Sequence, residues 1–148
     1  EWAKSLEHIK RVSRNTCLKF TQFNYIHQTY LDPVKIHRMF GDQPGCCPRC
    51  NDPDPDFYHL VWRCSKIEEF WSRVIAHLNR TLGRGLQMLP MECLLGSLKR
   101  QPKRKAGNRL IDLALGVARK RDCQTLEECK WPTYESWFSE VDKWARAE

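Results

Sequence analysis

Cys46-Cys47-Pro48-Arg49-Cys50-Asn51-Asp52-Pro53-Asp54-Pro55-Asp56-Phe57-Tyr58-His59-Leu60-Val61-Trp62-Arg63-Cys64 is the stretch on which the fold turns. Prolines at 44, 48, 53 and 55 border or interrupt it. Proline removes a backbone donor and clashes with the preceding turn, so no long helix fits here. The stretch is dense in ligand chemistry instead. Cys47-x2-Cys50-x8-His59-x4-Cys64 offers three thiolates and one imidazole. Zinc takes four such ligands in a tetrahedron, with Zn–S near ~2.3 Å. A Cys-x2-Cys turn sets two thiolates on one side of an ion, Pro48 stiffens that turn, and His59 with Cys64 closes the other side. All four positions are protein groups, which leaves none for a catalytic water, so the spacing predicts a structural site. A proline-rich loop with little apolar content has no other reason to hold one shape, so metal binding and local folding are expected to be coupled. Cys46-x3-Cys50 is the rival chelate, and the tighter turn favours Cys47. Unligated core cysteines beside a surface histidine are the plainer alternative, which four ligands at short spacings disfavour. Asp52, Asp54 and Asp56 lack the glycine and distal glutamate of a calcium loop and read as solvated.

Helical patterns flank this loop on both sides. After it, Ser65 and Glu68 read as a capping box. Ile67, Phe70, Trp71, Val74, Ile75, Leu78 and Leu82 then recur on one face, and Gly83 is a natural stop. Met88 to Leu98 reads as a short helix after Pro90. Before the loop, Trp2, Leu6, Ile9 and Val12 mark a helix over 2–14. Asn15 or Thr16 caps a second, with an expected stripe of Phe20, Phe23, Ile26 and Tyr30. Asp32-Pro33 starts a third, with Ile36, Met39 and Phe40 expected inward. Lys99-Arg100-Gln101-Pro102-Lys103-Arg104-Lys105 holds five basic groups in seven positions and reads as an exposed linker. From Asn108, Leu110, Leu113, Ala114 and Val117 are helical again. Thr133 caps a last helix carrying Trp137, Val141 and Trp144. The expected architecture is mostly α: several amphipathic helices around a small CCHC zinc-stapled loop. Its segments are 1–45 N-terminal helices, 46–64 zinc knuckle, 65–98 helical segment packing on the knuckle, 99–107 basic linker and 108–148 C-terminal helices, forming one compact unit.

The 148 residues are one domain's worth, and 41% hydrophobic against 29% charged excludes a wholly disordered chain. No apolar run approaches the ~20 residues of a membrane span, and no signal-peptide pattern opens the chain. The net charge of +7 favours polyanionic partners. Of eight cysteines, three cluster with His59 and most of the others fall in helical patterns as small hydrophobes. That predicts a reduced, intracellular setting (cytoplasmic ribonucleoprotein or nucleus) and a metal site rather than a disulfide framework. Phe57, Tyr58 and Trp62 lie beside Arg49, Arg63 and Lys66. Such aromatics either stack on unpaired bases, with basic neighbours on phosphate, or pack the knuckle onto the next helix. Packing is expected for Trp62, given Phe70 and Trp71; for Phe57 and Tyr58 both readings stand. His37 and His77 read as surface or packing residues. The basic run at Lys99, Arg100, Lys103, Arg104 and Lys105 is either a solvated linker or a nucleic-acid contact.

Three blocks carry a family resemblance: Tyr30-Leu31-Asp32-Pro33-Val34-Lys35-Ile36-His37-Arg38-Met39-Phe40, then Cys47-Pro48-Arg49-Cys50, then Tyr58-His59-Leu60-Val61-Trp62-Arg63-Cys64 with Phe70-Trp71. Together they resemble the C-terminal segment of LINE-type (non-LTR) retrotransposon reverse transcriptases. Leu94-Leu95-Gly96 and Pro132-Thr133-Tyr134-Glu135-Ser136-Trp137 extend the resemblance along most of the chain, with 30–71 the specific part. The resemblance implies a segment that follows the polymerase and thumb and helps hold RNA or target DNA. It also puts Cys47, Cys50, His59 and Cys64 at the ligand positions. Pro48 departs from the family's usual aromatic residue there, which removes stacking from that position, and residues 121–131 depart from its basic continuation. No Tyr/Phe-x-Asp-Asp pair, endonuclease carboxylate–histidine set, Ser/His/Asp array or Gly-rich phosphate loop occurs, so the expectation is a non-catalytic segment without a small-molecule substrate. RNA or DNA, and the parent protein's polymerase or thumb, are the expected partners. The alternative is a zinc-stapled protein-interaction module in which the tryptophans dock on a partner, tested by exposure of Trp2, Trp137 and Trp144.

Overall fold

The computed structural model describes Ala3, Glu7 and residues 14–41, 45–97 and 105–147, and the regular structure is helical, with no strand among the described residues. The predicted 2–14 helix lies outside them, apart from Ala3, Glu7 and Arg14. Asn15 caps α1 (Thr16–His27), its side chain accepting from the amides of Cys17 and Leu18. Asp32 caps α2 (Pro33–Phe40) by accepting from Lys35 N at 2.9 Å, and Gly41 ends that helix at φ 74°. After the metal loop and a π-helical turn (His59–Arg63) come α3 (Ser65–Leu82), a single turn α4 (Pro90–Cys93), α5 (Lys105–Glu127) and α6 (Tyr134–Ala147). Thr133 caps α6, with Ser136 N donating to its hydroxyl at 3.3 Å.

The core is organised around α5, which packs against α1, α3 and α6. Residues 111–119 of α5 are buried without a break, so this helix is central rather than amphipathic. Of the expected stripe, Leu113, Ala114 and Val117 are buried and Leu110 is half-buried; Ile111, Leu115 and Ala118 on other faces are buried too. The α3 stripe is buried from Ile67 to Leu78, with Trp71 fully enclosed. Complete burial of an aliphatic or phenyl side chain contributes about 1.5–3 kcal/mol, so this stripe is a principal anchor. Trp137 of α6 is 1% exposed and donates its indole N–H to Ala114 O at 2.9 Å. Trp144 is half-buried.

Five expectations change. The inward face of α1 is Leu18, Gln22, Tyr25 and Ile26, while Phe20 and Phe23 are exposed. Two polar anchors turn the helix this way: Gln22 Nε2 donates to Leu94 O at 3.0 Å, and Tyr25 OH donates to Asp122 Oδ2 at 2.6 Å. On α2 Val34 alone is buried among the described side chains; Met39 and Phe40 face solvent at 63% and 66% exposure, because this short helix lies on the surface. The helix predicted over 88–98 is confined to Pro90–Cys93, since Gly96 at φ 70° turns the chain away. Lys105 belongs to α5 rather than to a linker, and α5 runs on to Glu127. Among the cysteines, Cys93 and Cys123 are buried as expected, whereas Cys17 and Cys129 are exposed; all eight are free of disulfides.

Candidate metal centre

The thiols of Cys47, Cys50 and Cys64 and a ring nitrogen of His59 all lie within 4.8 Å of one another. Cys47 Sγ and Cys64 Sγ are 4.0 Å apart, and Cys50 Sγ is 3.2 Å from His59 Nε2. A tetrahedron with metal–sulfur bonds of ~2.3 Å has edges of roughly 3.8 Å, so the group can hold one metal ion. Cys46 is not part of it. The Cys47–Cys50 turn is closed by Asn51 N donating to Cys47 O at 2.9 Å and Cys47 N donating to Asp52 O at 2.8 Å. Asn51 takes a left-handed φ of 61°, which asparagine tolerates better than most residues.

His59 Nδ1 faces Asp52 Oδ2 at 3.7 Å. A carboxylate on that side favours the tautomer that leaves Nε2 free for a metal. Asp56 anchors the start of the π turn: its Oδ1 accepts from His59 N at 2.6 Å, and both its oxygens accept from Arg63 at 2.9 Å. Burial acts to raise the Asp56 carboxyl, and the His59 amide and Arg63 outweigh it, holding the group below its usual range. The turn closes with Cys64 N donating to His59 O at 2.9 Å, an i→i+5 bond. In an α-helix five residues rotate by roughly 500°, leaving side chains about 140° apart. The wider π turn brings His59 and Cys64 toward one side, which is how an x4 spacing serves one ion.

Cys64 is also the N-cap residue of α3, correcting the Ser65/Glu68 capping box. Ser65 is already helical, and Ile67 N and Glu68 N donate to Cys64 O at 2.9 Å. Burial raises the Cys64 thiol, opposed by the Lys66 amide. Burial likewise pushes the Cys47 thiol up to about 12, opposed by the amides of Arg49 and Cys50. Amides aimed at both sulfurs favour the thiolate, and a divalent cation among the ligands reverses the effect of burial.

Arg49 corrects a second expectation. Its position beside two ligand cysteines suggested a phosphate contact, yet its side chain is fully enclosed. It pairs with Asp122 Oδ1 at 2.7 Å. It also donates to Lys130 O at 2.7 Å, Leu60 O at 2.9 Å, Asp122 O at 2.8 Å and Thr125 Oγ1 at 3.1 Å. Arg49 therefore ties the metal loop to the C-terminal end of α5 and is unavailable to any partner. The Asp122 carboxyl is raised by burial, with Arg49 and Tyr25 pulling it down.

The remaining site residues divide by exposure. Phe57 is half-buried, edge-on to Tyr25 at 5.9 Å with Lys35 Nζ 5.4 Å from its ring centre, so it packs the loop onto α1. Trp62 packs against Trp71 as expected. Tyr58 is 40% exposed with the Arg63 guanidinium over its ring at 5.3 Å. Lys66 is exposed, and its ammonium lies 5.0 Å over the ring of Trp131. Lys105 is exposed at the start of α5; Lys99, Arg100, Lys103 and Arg104 lie outside the described residues. Trp131 went unread in the sequence because it lies more than sixty positions from the nearest ligand, in no periodic pattern. The proline after it was the available sign that it sits in a turn.

Comparison with family models, curated proteins and solved structures finds no match for this chain.

Proposed function

We propose that this chain is a non-catalytic, zinc-stapled domain that binds single-stranded RNA or DNA, the C-terminal segment of a non-LTR retrotransposon reverse transcriptase. The observation that carries the reading is the convergence of Cys47, Cys50, His59 and Cys64 with exposed aromatic and basic side chains at the positions beside the ligands. Tyr58 precedes His59, Arg63 precedes Cys64, and Lys66 follows it by two. Three thiols and an imidazole at tetrahedral spacing suit zinc better than a hard cation. The ion would fix the loop; Lys66, Arg63, Lys105 and the basic run at 99–104 would supply the charge. The net charge of +7 and the resemblance over 30–71 support the same partner class, within an intracellular ribonucleoprotein.

The test is zinc content of the purified chain, followed by binding of labelled single-stranded RNA with and without chelator. One zinc per chain is expected. Affinity should fall with salt at a log–log slope of about −0.7 per phosphate neutralised, and chelation should weaken it. Absent or salt-independent binding by the zinc-loaded protein would refute the reading.

A protein-interaction role has one observation in its favour, although Trp137 is buried and Trp144 half-buried. Phe20, Phe23, Leu31, Met39 and Phe40 are exposed on and between α1 and α2. If these side chains serve as a docking surface for a polymerase or host protein, Phe40→Glu should abolish partner capture and leave RNA binding unchanged.

A further inference from the structure

We infer that Trp131 and Lys66 form a binding subsite for one unpaired nucleobase and its phosphate, an inference that rests on the proposed nucleic-acid function. Among the described tryptophans, Trp71 and Trp137 are enclosed and Trp62 and Trp144 are half-buried, whereas Trp131 is 48% exposed. An indole of that size left in water forgoes substantial burial free energy, so it contributes little to the core. Its indole N–H makes no hydrogen bond among the described residues.

The surrounding backbone is nevertheless well anchored. At the end of α5, Cys129 takes φ 56°, Cys129 N donates to Leu126 O at 3.1 Å and Lys130 N donates to Thr125 O at 2.8 Å. Lys130 O accepts from the buried Arg49 at 2.7 Å. Pro132 is buried on the other side, and Thr133 caps α6. The exposed ring is therefore carried by a fixed turn bonded to the metal loop.

Lys66 makes the ring a subsite. It sits two residues beyond the ligand Cys64, in the first turn of α3, and its ammonium lies 5.0 Å over the indole. It has no ion pair among the described residues, while Lys130, which precedes Trp131 in the chain, is engaged by Glu128 at 3.1 Å. Tyr58 and Arg63 form a similar aromatic–cation pair, but there the guanidinium already donates through Nη2 to both carboxylate oxygens of Asp56 at 2.9 Å. Among the described residues Lys66 is thus a cation without an ion pair, set against a half-exposed aromatic ring. Every base offers a π face, so the subsite takes any unpaired base, with the ammonium on the adjoining phosphate.

The experiment uses the zinc-loaded full chain with three labelled probes: oligo(U), oligo(dT) and a base-free sugar–phosphate oligomer with the same number of phosphates. Trp131→Ala should weaken oligo(U) and oligo(dT) by about 5- to 150-fold, the range that base–aromatic stacking supplies, without changing the salt slope. Trp131→Phe should retain most of the affinity. Lys66→Ala should weaken all three probes and reduce the slope by about 0.7. On the base-free probe Trp131→Ala should equal the wild type. Zinc content and melting midpoint of Trp131→Ala, unchanged, would show that the fold is intact. Equal oligo(U) binding by wild type and Trp131→Ala, or an equal loss on the base-free probe, would overturn the subsite and leave the broader function standing. Failure of the wild type to bind any probe would overturn both. A larger effect on one of oligo(U) and oligo(dT) would assign the subsite to RNA or DNA.

Discussion

Arg49→Ala is the sharpest test of how the metal loop is held. The guanidinium spans the loop, the π turn and α5, and its partner Asp122 has no exposed side-chain surface. Removing the arginine leaves Asp122 with Tyr25 as its remaining side-chain hydrogen-bond partner. Breaking a buried pair from one side costs about 3–5 kcal/mol, because an uncompensated charge stays in the interior. Against a total stability of about 5–15 kcal/mol, that is a large fraction. At about 2–4 °C per kcal/mol for a chain near this size, the melting midpoint should fall by roughly 6–20 °C. Zinc should still bind, since all four ligands remain. The assay is thermal unfolding of the zinc-loaded protein by circular dichroism, with Arg49→Met/Asp122→Leu as the companion variant. Removing both charges removes the orphan, so the double variant should recover much of the loss. A single variant melting within about 2 °C of wild type, or a double variant no better than the single, would refute the staple.

Three further outcomes are expected. Cys64→Ser should lose zinc and loosen the start of α3, removing a large part of a metal contribution of about 10–16 kcal/mol, whereas Cys46→Ser should keep zinc at full stoichiometry; a colorimetric zinc assay with near-ultraviolet dichroism checks both. His77 packs among Tyr134, Trp137 and Phe138, and burial, aided by Arg80, lowers its pKa below 6.5. The unfolded chain therefore binds the proton more readily, so the His77 contribution is complete above about pH 6.5 and lost as pH falls below it; urea midpoints of wild type minus His77→Gln should shrink over that window, and a constant difference would refute it. Replacing Lys103, Arg104 and Lys105 with glutamine should weaken oligo(U) binding and reduce the salt slope by up to about 2, with fold and zinc content unchanged.

The clustering of Cys47, Cys50, His59 and Cys64, the helix caps at Asn15, Asp32 and Thr133 and the buried stripe of α3 were legible because each is encoded locally, by spacing or by a single turn. What was not legible depended on distant partners. Phe20 and Phe23 are more apolar than Gln22 and Tyr25, so periodicity chose the wrong face of α1. Nothing near those residues announces Leu94 O or Asp122, about seventy and a hundred positions away. Arg49 looked like a surface cation for the same reason: its counterion lies 73 residues on. Cys64 displaced Ser65 as the cap because the π turn that ends with Cys64 N donating to His59 O leaves Cys64 extended, at ψ 130°, and the helix starts at the next residue.

The Arg49 staple also sets an order of assembly. The metal loop joins positions 17 apart, from Cys47 to Cys64, while the staple joins positions 73 apart. Closing the longer loop from an open chain costs about two doublings of length, near 1.2 kcal/mol more, and brings no ion with it. In N-to-C synthesis the four residues of the candidate metal centre emerge well before α5, so a metal bound there would order a local nucleus while Arg49 is still solvated. The guanidinium is then desolvated late, when the end of α5 arrives with Asp122 and the carbonyl of Lys130. Metal capture would be fast and local, and the slow step would be the docking of a preformed loop onto the central helix.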